Sequence, residues 1–149
     1  MDTEDIENAL RSRIGDKFLG VYACDRLPSA LPSHRPLLLV ANTDPAKKPG
    51  EHWVAMCLDV DGRGEFFDSY GTAPQPEFRR FLNEHCNKWS LNTKQLQSLI
   101  YKFCGQYVIY YCLYRSMDYS MADILKSFMH DQGVNDWLVH GVVCRAILS

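Results

Sequence analysis

Four side chains in this sequence could together do acyl-transfer chemistry, and they occur in the order His52, Asp68, Gln97, Cys104. Cys104 is followed by Gly105 and by a run in which Val108, Tyr111, Cys112 and Tyr114 or Arg115 recur at helical steps. A cysteine at a helix N-terminus sits beside unpaired backbone N–H groups and the positive end of the helix dipole. Both favour thiolate over thiol, and the thiolate is the nucleophile. Gly105, lacking a Cβ, is expected to let a substrate backbone approach the sulfur. A thiolate attacking a carbonyl also needs a base, a group that orients the base, and donors for the developing oxyanion.

Five histidines compete for the role of base: His34, His52, His85, His130 and His140. His52 stands at the mouth of a predicted strand, is followed by Trp53, and has Asp68 on the neighbouring strand. Residues 51–59 and 65–70 read as a hairpin with its turn at 61–64. His52 and Asp68 share a face only if the loop has an odd length, which Val60-Asp61-Gly62 with a left-handed Gly62 provides. Asp59 then pairs with Arg63, Val54 with Asp68 and His52 with Tyr70. That register leaves His52 and Asp68 as diagonal neighbours at roughly 7–8 Å between backbones, within side-chain reach. Val54, Met56, Leu58 and Phe66 fall on the same face, which is expected to receive the helix carrying Cys104. Trp53 reads as a packing residue over the histidine. Gln97 could donate to an oxyanion together with the Cys104 N–H, although Gln95 and Gln106 are equally amidic.

The elements that must position these groups follow from periodicity. Residues 2–14 predict a helix with Ile6, Leu10 and Ile14 on one face. Residues 18–23 and 36–41 read as strands, with loops at 27–36 and 42–50. Residues 76–88 predict a helix that buries Phe78, Phe81 and Leu82, and 89–96 an edge strand. Helices from Cys104, over 120–129 with Ser120 as N-cap, and over 136–147 complete one α+β domain spanning 1–149.

Composition bounds the function. At 149 residues the chain can build one full core, and 46% hydrophobic with 23% charged residues is ordinary for a globular protein. Sixteen basic residues against eighteen acidic give a net charge of −2, which argues against an overall affinity for nucleic acid. No apolar run approaches the ~20 residues of a membrane span, and the acidic start lacks the features of a signal peptide. The six cysteines include no Cys-x-x-Cys pair, so a zinc site would need scattered ligands. Reduced thiols in an intracellular compartment are expected, with Cys24, Cys57, Cys112 and Cys144 in the core.

The ordered set resembles one family. His52-Trp53, the segment Phe67-Asp68-Ser69-Tyr70-Gly71, and Gln97 with Cys104-Gly105 are similar to the motifs of adenain, the adenovirus-type cysteine protease, and its relatives in adenovirus-like viruses and virus-like DNA transposons. The upstream segment 18–28 is similar too. The resemblance covers roughly residues 14–118 and implies the ubiquitin-like-protease fold, a mostly antiparallel sheet packed against the nucleophile's helix. It also implies His52 as base, Asp68 as its orienter, Cys104 as nucleophile and Gln97 as oxyanion donor. The implied activity is cleavage of viral precursor proteins during particle maturation, often after small residues such as glycine, in the virion and the infected cell. No cofactor is required for that chemistry, although the family uses DNA and an activating peptide. The acidic balance here argues against DNA. Poor agreement around Cys86, at the position of the family's peptide-binding cysteine, argues against the peptide. Asp68 stands where adenovirus enzymes often carry Glu, whereas SUMO and ubiquitin-like-protein proteases use Asp. An isopeptidase of that kind is the nearest alternative, ahead of a non-catalytic binding module of the same fold.

Overall fold

The computed structural model describes residues 1–48 and 52–148. Asp2 opens helix α1 (Thr3–Ile14) with a capping box, its side chain accepting from the Asp5 N–H while Asp5 returns the bond. Ile6 and Leu10 are buried on the inner face. Strands β1 (Phe18–Ala23), β2 (Leu37–Asn42), β3 (Trp53–Leu58) and β4 (Arg63–Phe67) follow, then helix α2 (Pro76–His85) and strand β5 (Lys88–Leu91). Helices α3 (Cys104–Ser116), α4 (Met121–Lys126) and α5 (Gln132–Leu148) end the chain. The five strands lie in the order β1-β2-β3-β4-β5. The inner pairings β2–β3 and β3–β4 are antiparallel, but both outer ones, β1–β2 and β4–β5, are parallel. The sheet is therefore mixed, antiparallel at its centre only. The helix α2 explains one parallel edge, because it carries the chain back from the end of β4 to the start of β5.

The unbroken apolar run of β2 feeds two cores at once. Leu38 and Val40 point to one side of the sheet, and Leu37, Leu39 and Ala41 to the other. On the first side, Ala55, Cys57 and Phe67 meet α3 through Tyr107, Val108 and Tyr111, with α1, α4 and α5 packed around that helix. On the second, Val54, Met56, Leu58 and Phe66 meet Phe78, Phe81 and Leu82 of α2. Helix α3 is buried on nearly every side, as an apolar-all-round helix must be.

The β3–β4 register agrees with the expected loop. Leu58 pairs with Gly64 and Ala55 with Phe67, and the Asp59 N–H donates to the Arg63 carbonyl at 2.7 Å. Gly62 has φ 71°, and a Cβ there would collide with the Asn87 side chain. Asp61 joins it in the left-handed region at φ 61°. The face, however, is the opposite of the expected one. Val54, Met56, Leu58 and Phe66 cover α2, and α3 sits on Ala55, Cys57 and Phe67. Parity fixes which residues share a face, not which helix covers it. The ladder also stops at Ala55–Phe67, so His52 and Asp68 lie beyond the strand alternation.

Other boundaries moved by a few residues. α2 stops at His85 because Lys88–Leu91 pairs with β4, and the edge strand ends at Leu91 rather than 96. α5 begins earlier, at Gln132, and α4 is shorter than expected, with Ser120 and Asp123 forming its capping box. Residues 49–51 of the expected 42–50 loop and 51–59 strand lie outside the described residues.

Candidate active site

Cys104 is the first residue of α3, and Phe103 before it gives no side-chain cap. The first-turn N–H groups are therefore left to the thiol and to whatever approaches it. His52 and Asp68 arrive from the ends of β3 and β4, and His52 Nε2 lies 2.6 Å from Asp68 Oδ1. Facing a carboxylate, Nε2 must carry the ring's proton. The other nitrogen, Nδ1, is buried and makes no hydrogen bond among the described residues, so it is the one open to the thiol. Tyr70 stacks on the imidazole at 4.7 Å between ring centroids.

The two reacting groups shift each other. Burial opposes the imidazolium, but hydrogen bonding to Asp68, together with the charges of Asp68 and Cys104, carries His52 up to about 9. Burial likewise opposes the thiolate of Cys104. The facing His52 imidazolium and the backbone groups of Trp53 and Gly105 outweigh it and hold the thiol below its usual range. Elsewhere burial acts with less opposition. It pushes Cys24 up to about 11 and Cys57 up to about 12, and raises Cys86 and Cys112 as well. Among these five thiols, the geometry favours the anion at Cys104 alone.

Asp68 is held by its main chain as well as its side chain. Its N–H donates to Asn92 Oδ1 at 3.0 Å and its carbonyl accepts from Asn92 Nδ2 at 2.6 Å. The Tyr70 N–H donates to Oδ1 at 2.9 Å, and the Gly71 N–H closes the turn onto the Asp68 carbonyl at 2.8 Å. Gly71 has φ 72° and lies so close to the backbone of Thr93 and Lys94 that a Cβ would overlap it. Asn92 was invisible to sequence reasoning, which placed it inside an edge strand.

Gln97 is fully buried and its carboxamide is engaged at both ends. Ser69 Oγ donates to Oε1 at 2.6 Å, and Nε2 donates to the Tyr101 carbonyl at 3.0 Å. The residues on either side of it are gripped from α5. Asn135 Nδ2 donates to the Leu96 carbonyl at 3.1 Å, and the buried Asp136 accepts from the Ser98 N–H, the Ser98 hydroxyl and the Tyr107 hydroxyl. Neither competing amide is equivalent, since Gln95 merely donates to the Gln97 carbonyl and Gln106 lies within α3. The structure thus bonds His52 to Asp68, sets Cys104 where it and His52 shift each other's charge, and ties Gln97 to Ser69, the residue after Asp68, and to Tyr101.

Two expectations change. The space above Gly105 is occupied: a Cβ there would come within 3.0 Å of Met1 Sδ, so the glycine admits this chain's own N-terminal side chain. The ring stacked on His52 is Tyr70, whereas Trp53 is half-buried against the α3 core and its backbone is what reaches Cys104. The remaining histidines are engaged elsewhere. His34 meets the Asp16 carbonyl, His130 meets Lys94, His85 packs on Phe81, and His140 stacks on Phe103. Among the described residues no three His, Cys, Asp or Glu side chains converge into a metal-holding group.

A five-stranded mixed sheet packed against a helix that presents a cysteine at its N-terminus is a fold that this chain shares with solved protease structures. Solved structures agree: the ASFV pS273R protease superposes over 93% of this chain and 65% of its own, with TM-score 0.62 at 20% identity. The central domain of the Lpg1148 protein of Legionella pneumophila superposes over 98% of both chains, with TM-score 0.57 at 13% identity. At such identities the likeness is one of fold. In sequence, the chain is similar to the protease of Bovine adenovirus 4, 29% identical over 115 residues that cover 66% of this chain and 57% of that one. The chain thus spans little more than half the length of this adenovirus relative. No protein-family model matches it.

Proposed function

We propose that residues 1–149 form a cysteine endopeptidase domain that cleaves viral precursor proteins, of capsid or core, during virion maturation. The observation that carries this reading is the 2.6 Å His52–Asp68 bond beside a cysteine whose thiol is held below its usual range at a helix N-terminus. Likeness in sequence to an adenovirus protease, and in fold to the ASFV protease, supports the substrate class.

His52 Nδ1 takes the Cys104 proton, leaving a thiolate–imidazolium pair that Asp68 stabilises through Nε2. The thiolate attacks the scissile carbonyl. The Cys104 N–H and the Gln97 carboxamide hold the oxyanion of the tetrahedral intermediate. The imidazolium then protonates the leaving amine, and water, deprotonated by His52, releases the acyl-enzyme. The chemistry draws on no metal or cofactor. The site works in the virion and the infected cell, and no helix among the described residues is long and apolar enough to cross a membrane.

The test is cleavage of a glycine-containing viral junction peptide set against a ubiquitin-like fusion, with and without candidate activating peptide and DNA. The junction peptide is expected to be cut, and Cys104→Ala to abolish turnover with an unchanged thermal midpoint. Preference for the fusion would reassign the protein as an isopeptidase. Undiminished cleavage by the variant would overturn the nucleophile.

A further inference from the structure

The turn that follows β4 does two jobs with adjacent side chains. Asp68 points to His52, and Ser69, fully buried, points to Gln97. A carboxamide offers one acceptor oxygen and two N–H donors. Here the oxygen accepts from Ser69 Oγ at 2.6 Å, and Nε2 donates one hydrogen to the Tyr101 carbonyl at 3.0 Å. The second N–H is the group left over. Reversing the amide would set its oxygen against the Tyr101 carbonyl, two acceptors face to face, so the flip is blocked. The Ser69 carbonyl adds a main-chain grip, accepting from the N–H groups of Leu96 and Gln97 at 2.8 and 3.1 Å.

We propose that Ser69 is a positioning residue, whose buried hydroxyl locks the Gln97 carboxamide so that its remaining N–H faces the oxyanion. The proposal rests on Gln97 being the oxyanion donor. Without the hydroxyl, Oε1 is buried and unpaired, and the amide is free to rotate away in search of a donor. A donor displaced by even a fraction of an ångström loses much of its effect on a transition state. Because Ser69 touches neither His52 nor Cys104 in the hydrogen-bond network, the thiolate–imidazolium pair is spared.

That separation gives the experiment. Steady-state cleavage of a junction peptide and alkylation of Cys104 by iodoacetamide, which forms no tetrahedral oxyanion, are measured on Ser69→Ala, Gln97→Ala and the double variant. Gln97→Ala is expected to lower kcat about a hundredfold, the scale of a lost oxyanion donor. Ser69→Ala is expected to lower kcat about tenfold with KM nearly unchanged. Both should keep the wild-type alkylation rate, and Ser69→Ala should add nothing in the Gln97→Ala background. Wild-type kcat in Ser69→Ala, or an equal further loss in the double variant, overturns the proposal while leaving the Gln97 assignment intact. Slowed alkylation in Ser69→Ala also overturns it, by showing a general disturbance of the site. Wild-type kcat in Gln97→Ala removes the oxyanion donor itself, and the proposal with it.

Discussion

Under the proposed mechanism, the charge state of two side chains sets when the site works. His52 must be protonated and Cys104 ionised, and the structure moves them in opposite directions, His52 up to about 9 and Cys104 downward. The competent pair therefore appears as pH rises through the lowered thiol value and disappears as pH rises further and His52 loses its proton. A bell-shaped kcat/KM profile follows, with its alkaline limb near pH 9 and its acid limb below the ordinary thiol range. Because Asp68 supports the imidazolium, Asp68→Asn should bring the alkaline limb down and lower the plateau. An alkaline limb close to 6.5, the ordinary imidazole value, would contradict the pairing.

At the scale of elements, the position of Cys104 depends on how α3 is fastened to the hairpin at its far end. Arg115 is buried in the last turn of α3 and bonds Asp59 at 2.7 Å and Glu65 at 2.9 Å, while the Tyr111 hydroxyl donates to the same Glu65 oxygen at 2.5 Å. Its charge is well matched there: burial opposes it, but the surrounding acidic groups hold Arg115 above its usual range. Removing one partner of a buried ion pair strands the other, so Arg115→Ala should cost roughly 3–5 kcal/mol in a urea melt. A loss under about 1 kcal/mol, the range of surface pairs, would mean the network is not a fastening. These same strands mark what could be read in advance. Loop length and Gly62 were enough for the register of β3 with β4, because turn geometry is local. Which face takes α3 was read wrongly, because both faces are apolar and the choice depends on where α2 returns.

Across the whole molecule, the sheet separates a core under α2 from a larger one around α3, and the candidate site lies at the strand ends where β3, β4 and α3 meet. The order His52, Asp68, Gln97, Cys104 was legible because each residue type carries its chemistry with it. The residues that hold them were not. Ser69, Asn92, Asn135 and Asp136 act through main-chain and amide contacts with partners 24 to 39 positions away, as in Asn92 with Asp68 and Asn135 with Leu96. No periodicity marks such a residue, and only the closed fold brings the partners together.

The central claim is that Cys104 is an activated thiol, paired with His52 before any substrate arrives. Brief, limiting alkylation near pH 6, followed by peptide mapping, tests it most directly, since a thiol of ordinary pKa ~8.5 is almost wholly protonated there. The structure predicts selective labelling of Cys104 over the other five cysteines, lost in His52→Ala. Labelling of Cys86 or Cys144 as fast as Cys104, or labelling of Cys104 that survives in His52→Ala, would contradict it.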